Sequence, residues 1–215
     1  MASYPKPAMQ EKEVYLKRNS FLILFLLSLF FLLIIKIAKS EENENKKLVI
    51  FKLSEYLKNV SEFSSRFIQT SEGDLQEGKF YLKNNRLRID YETPNNIIII
   101  VKKNNAMYFN VDLEEVQYFN PKNTIAEIFF ELFYDSDFFN DAIIISQENS
   151  YMLTKNYIIK DQKNQIEIFF EKTPLIIRKI KVTNPDGETT FGIIDVNYNP
   201  NLNDKIFSLA NPLSS

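Results

Sequence analysis

Residues 86–92, RLRIDYE, alternate strictly between two kinds of side chain. Leu87, Ile89 and Tyr91 fall on one side, and Arg86, Arg88, Asp90 and Glu92 on the other. A period of two is the signature of a strand with one dry face and one wet face. It predicts that Leu87, Ile89 and Tyr91 point inward while Arg86, Arg88 and Asp90 point out. GKFYLK (78–83) precedes this segment across Asn84-Asn85, a pair that tolerates positive φ and suits a tight hairpin. The pattern then recurs. NIIIIVKK (96–103), apolar on both faces, leads through Asn104-Asn105 into AMYFNVD, and EVQYFNP ends at Pro121. Further strands are expected at 142–148, 150–156, 165–171, 175–184 and 189–198, the last after the turn sequence NPDG, with a short edge strand within 203–212. This gives about ten or eleven strands joined by short turns. Short turns imply antiparallel neighbours, because parallel crossovers need more chain. Such a series closes most simply into a barrel, full or partial.

Two segments break the period. LVIFKLSEYLKNV (48–60) carries apolar residues at helical spacing and predicts an amphipathic helix. TIAEIFFELFY (124–134) is apolar almost all round, with only Glu127 and Glu131 interrupting it. A helix of that kind is covered on most sides. It predicts an insertion near 122–140 that seats over or inside the barrel mouth, with Glu127 and Glu131 toward solvent.

The chain has no cysteine and no histidine. Disulfides, thiolate metal sites, a cysteine nucleophile and the usual imidazole base are therefore excluded. None of its four glycines falls in a phosphate-cradling pattern. We expect no enzyme activity, no metal and no cofactor. Residues 1–40 read as a signal peptide: Lys12, Lys17 and Arg18 precede the apolar run from Phe21 to Ile35, and Ala38 and Ser40 have the spacing of a cleavage site. Met9 offers a second start nearer the basic cluster. An uncleaved anchor is the alternative, although this run is short for a spanning helix. Residues 41–47 form a polar linker, and 48–215 the barrel domain. Six basic and two acidic residues fall in 1–40, so the remainder carries a net charge of −6. That balance argues against nucleic acid as a partner.

Aromatics recur in pairs, as in Phe80-Tyr81, Tyr108-Phe109, Phe129-Phe130, Phe133-Tyr134 and Phe169-Phe170. In a strand, one member of each pair faces in and the other faces out. Composition alone leaves two readings open: a packed aromatic core, or the wall of a cavity for an apolar ligand.

Taken in order, the motifs resemble the LolA-like periplasmic lipoprotein carriers. FSSRFIQT (63–70) is similar to that family's F-x-x-x-F-x-Q strand. Gly78, Phe80, Leu82, Arg86, Leu87, Arg88, Tyr91 and Pro94 follow its next hairpin, AMYFNVDLEEVQY its third, and EKTPLIIRKIKVTNPDGETT and KIFSLANP its closing strands. The resemblance spans about residues 60–212. It implies a mainly β fold with α elements: an unclosed antiparallel barrel whose helical lid encloses an apolar cavity. It implies a monomeric periplasmic carrier that takes acylated lipoproteins from an inner-membrane ABC transporter to an outer-membrane receptor. A membrane-anchored or soluble lipid-binding or sensor module on the same barrel is the alternative. The cavity residues it implies are Phe67, Phe80, Leu82, Leu87, Ile89, Tyr91 and Tyr108; the lid residues are Ile125, Ile128, Phe129 and Phe133. Many family members carry Arg-Pro in the turn after the second strand, where the arginine ties lid to barrel. Asn84-Asn85 stands there in this chain, which predicts a loosely held lid and weaker acyl binding when Phe129 is truncated.

Overall fold

The computed structural model describes residues 45–214 apart from 61 and 136. The expected signal peptide, its cleavage site and most of the linker lie outside the described residues. Residues 49–215 form one compact unit. Among the described residues no helix is long and apolar enough to cross a membrane.

Residues 45–59 are helical (α1), so the last residues of the expected linker already belong to the helix. The sheet follows: β1 (Glu62–Ser71), β2 (Asp74–Lys83), β3 (Leu87–Thr93), β4 (Ile97–Val101), β5 (Ala106–Asn110) and β6 (Glu115–Phe119). Helix α2 (Ile125–Tyr134) then interrupts it. Strands resume as β7 (Ile143–Ser146), β8 (Ser150–Ile159), β9 (Gln162–Lys172), β10 (Leu175–Asn184) and β11 (Gly187–Asn197). A 3-10 turn (Asp204–Phe207) follows. All eleven strands form one antiparallel sheet in the order β6-β5-β4-β3-β2-β1-β11-β10-β9-β8-β7. The sheet does not close. Its two free edges, β6 and β7, are neighbours in sequence, and the segment joining them carries α2. The unit 49–215 contains all eleven strands and the buried core, which is what an independently folding domain requires.

The hairpin chemistry is local. Asn84 and Asn85 both take positive φ, 50° and 56°, and Lys83 and Arg86 exchange both backbone hydrogen bonds at 3.0 Å. That is the twist a two-residue hairpin wants. Lys160-Asp161, φ 49° and 64°, does the same between β8 and β9. Those two strands are longer than the sequence suggested, because the polar run KDQKNQ resembles a loop but lies mostly in the ladder. Asn184 accepts at 2.9 Å from the backbone N–H of both Asp186 and Gly187, which shapes the turn from β10 into β11.

Register puts Leu87 opposite Leu82, Ile89 opposite Phe80 and Tyr91 opposite Gly78, all on the inner face. Ile97, Ile99 and Val101 join them from β4. Gly78 is needed there: a Cβ would lie 2.1 Å from the Asp90 carbonyl and 2.8 Å from the Phe67 ring. Ile98 and Ile100 point to the other face, where Ile100 packs with Met107, Phe109 and Leu209.

That outer contact corrects one expectation. Residues 203–212 form no strand. They lie across the outside of β3: Arg88 donates to the Ile206 carbonyl at 2.6 Å, Arg86 to Asp204 at 2.9 Å, and the Arg86 guanidinium sits 5.0 Å above the buried Phe207 ring. Arg86, Arg88 and Asp90 do point outward, but onto this strap. NIIIIVKK is apolar on both faces because both faces are covered.

Candidate functional site

The inner face of β1–β4 and β11 is an aromatic floor. Phe63 and Phe67, four apart on β1, share a side because a strand repeats every two residues. Phe63 meets Phe80 edge-on at 6.2 Å, and Phe67 meets Tyr91 at 5.2 Å and Phe191 at 6.1 Å. The Tyr91 hydroxyl donates to Gln69 at 2.8 Å, and burial pushes its pKa up to about 12. The Gln and Tyr of the sequence motifs are thus partners.

Helix α2 lies on this floor. Its entry is fixed locally: Thr124 donates to the Pro121 carbonyl at 2.6 Å, and Glu127 reaches back to accept from the Asn123 N–H at 2.7 Å. Ile128, Phe129, Leu132 and Phe133 are buried. Phe129 rests between Phe80 (6.3 Å) and Phe191 (5.1 Å), and Phe133 between Phe80 (5.5 Å) and Phe63 (6.2 Å). The helix is pinned at its last residue, where Tyr134 donates to the Arg86 backbone carbonyl at 3.0 Å. Burial raises the pKa of this phenol above the ordinary tyrosine range. The Asn84-Asn85 hairpin therefore receives α2, through a tyrosine on the helix and a backbone oxygen on the turn.

Most sequence-predicted residues meet here. Phe67, Phe80, Leu82, Leu87 and Ile89 are buried, and Tyr91 packs against them half-buried. Ile125 packs at the margin of the same cluster. Tyr108 shares the face by its register with Ile99 but is only half-buried, outside the aromatic group. Glu127 and Glu131 are half-buried, not solvent-facing. Burial and the neighbouring Glu127 and Asp135 raise the Glu131 carboxyl above its usual range, with Lys155 opposing them.

The interior under α2 is filled by Phe129 and Phe133. The open space lies beside the helix: a crevice of about 510 Å³ between the end of α1, the Asn84-Asn85 turn and the last turn of α2. Leu57, Val60, Leu132, Phe133 and Phe139 make its apolar walls, and Glu55, Lys58 and Asp135 mark its polar rim. Among the sequence-predicted residues Phe133 alone reaches it. Sequence reasoning missed Phe63 and Phe191 as floor residues. Phe63 could have been found, since it stands two turns of the strand repeat from Phe67 inside FSSRFIQT. Phe191 depends on β11 pairing with β1, which nothing local announces.

Residues 58–210 match the model of the family described as outer membrane lipoprotein carrier protein LolA. The chain is 27% identical over 178 residues to the uncharacterized protein RP864 of Rickettsia prowazekii (strain Madrid E), covering 81% of each. Among solved structures it is similar to a DUF1329 family protein from Desulfovibrio piger ATCC 29098, at 10% identity and TM-score 0.46, covering 75% of this chain and 96% of that one. An uncharacterized conserved protein from Thermus thermophilus is similar at 7% identity and TM-score 0.43, covering 70% and 86%.

Proposed function

The chain belongs to the LolA family of outer membrane lipoprotein carrier proteins, and on that premise we propose that it is a periplasmic, non-catalytic, monomeric carrier of acylated lipoproteins. It would receive them from an inner-membrane releasing transporter and hand them to an outer-membrane receptor. The observation that carries this reading is the occupancy of the aromatic floor. Phe129 and Phe133 fill the interior from a helix that links two free sheet edges, while an apolar-walled crevice opens beside that helix.

The physics of cargo favours such an arrangement. A buried CH₂ is worth about 0.8 kcal/mol, so an acyl chain of ~16 carbons costs on the order of 12 kcal/mol to expose to water. A carrier must shield it and still give it up without a fuel. A helix whose own rings occupy the cargo's space meets both demands: helix and acyl chain exclude one another, and release is offset by redocking of the rings. The crevice supplies an entrance of ordinary ligand-pocket size, roughly 300–1,000 Å³.

The test is binding of a fluorescent fatty-acid probe to residues 41–215 and its displacement by a triacylated lipopeptide. Saturable binding at micromolar protein followed by displacement is expected. No probe binding at that concentration overturns the reading and leaves the aromatics as plain core.

A further inference from the structure

Ser65 does not suit its surroundings. It faces the interior from the middle of β1, only 4% exposed, and its hydroxyl has no hydrogen-bond partner. Two residues either side on the same face stand Phe63 and Phe67, and opposite it on β2 stands Phe80. Phe133 packs on both Phe63 and Phe80, and Phe129 on Phe80 and on Phe191, which in turn touches Phe67. One small polar group thus sits within an aromatic ring of floor and lid.

A buried hydroxyl without a partner is a desolvation cost with no return, and native structures rarely keep one without a use. Alanine would fill the same space at no such cost. The backbone marks the same spot independently. Between the pairs Ser64–Asn197 and Arg66–Ile194 the register shifts, so that two residues of β11, Asp195 (φ 51°) and Val196, stand against Ser65 alone. Bulges of this kind are favoured where a side chain must be re-aimed beside a site.

We propose that Ser65 is a ligand-binding residue whose hydroxyl donates to the carbonyl oxygen of an acyl group, ester or amide, once Phe129 and Phe133 have left the floor. This rests on the acyl-carrier reading above and adds to it a polar anchor within the cavity. Hydrocarbon alone would fix neither the depth nor the end of the chain. One donor in an aromatic tunnel fixes both, because a carbonyl placed anywhere else in it is left unpaired.

The test uses Ser65→Ala in residues 41–215 with three pyrene-tagged probes of equal chain length: an alkane, a fatty methyl ester and a fatty N-methyl amide. Wild-type protein binds all three. The variant should lose about three- to tenfold in affinity for the ester, the amide or both, the range of one ordinary hydrogen bond, with alkane affinity unchanged. Which of the two suffers identifies the linkage read. The variant's melting temperature should stay level or rise, since the substitution removes an unpaired group. An equal loss on all three probes, no loss on any, or a clear fall in melting temperature overturns the role of Ser65 while leaving the carrier reading in place. Failure of wild-type protein to bind any probe overturns both.

Discussion

The two helices lie against one sheet and are held in different ways. Helix α1 is bolted through polar atoms as well as packed. Leu53 is fully buried, and the Tyr56 hydroxyl accepts from the Ile177 N–H at 3.2 Å and bonds the Tyr198 hydroxyl at 3.0 Å. Helix α2 rests on ring contacts, with the Tyr134 hydroxyl as its polar tie to the sheet among the described residues. Its ends are weakly capped. Thr124 makes no side-chain cap bond to the helix, and the last turn has no basic residue to meet the negative end of the dipole. Instead Glu131 and Asp135 lie there. Apolar burial with one polar tie, at the helix end, is what a removable element needs, since hydrophobic contact is non-directional and can be matched by an acyl chain, whereas a specific hydrogen bond cannot.

The sharpest way to break this contrast is to truncate each helix in turn. Leu53→Ala should cost about 3 kcal/mol in urea unfolding, the ordinary loss for a buried leucine, with probe affinity of the folded protein little changed. Phe129→Ala should cost clearly less than that, although a packed phenylalanine typically loses more. The loss is capped by the free energy of docking α2, because beyond that limit the helix simply lifts. Acyl-probe affinity should rise severalfold. A lid held loosely at Asn84-Asn85 predicts the opposite sign; on the proposed carrier reading the rings of Phe129 and Phe133 compete with the acyl chain for the floor on which they pack. If Phe129→Ala costs as much as Leu53→Ala and leaves affinity unchanged, α2 is core and the contrast collapses.

Tyr134→Phe is a finer probe. It removes one hydrogen bond, worth about 1 kcal/mol or less at this half-buried position. Probe association measured by stopped flow should quicken a few-fold, with a small change in melting temperature. Unchanged association would mean that the hairpin does not gate the helix.

The smallest effect concerns pH. The docked Glu131 carboxyl holds its proton more tightly than a free one, by burial first and then by Glu127 and Asp135. A raised folded-state value means that its ionisation opposes docking at neutral pH, and that the penalty is relieved as pH falls through the raised value. Acyl-probe binding should therefore weaken modestly as pH drops just above the ordinary carboxylate range. Glu131→Gln should flatten that dependence and weaken binding at neutral pH.

What the sequence made legible was whatever a few adjacent residues decide. The alternation of Leu87, Ile89 and Tyr91 and the Asn84-Asn85 turn placed β2 and β3, and the near-uniform grease of 124–134 marked the insertion. What it hid depends on contacts distant in the chain. KIFSLANP has a strand-like composition, yet Lys83, Arg86 and Arg88 hold residues 202–206 as a strap through contacts over a hundred residues apart. The crevice is built where α1, a hairpin and the end of α2 converge, so no single motif contains it. Ser65 reads as filler inside FSSRFIQT, and only its aromatic neighbours make it unusual.

The open sheet also sets a clock. Because β6 and β7 are both free edges and α2 belongs to neither ladder, lifting the helix breaks no strand pairing. On the proposed carrier reading, exchange of cargo would then be a segmental motion, which proteins complete in microseconds to seconds, and not a partial unfolding with the far longer waiting times that ladders impose. A closed barrel of the same residues would hold an acyl chain as well and surrender it too late.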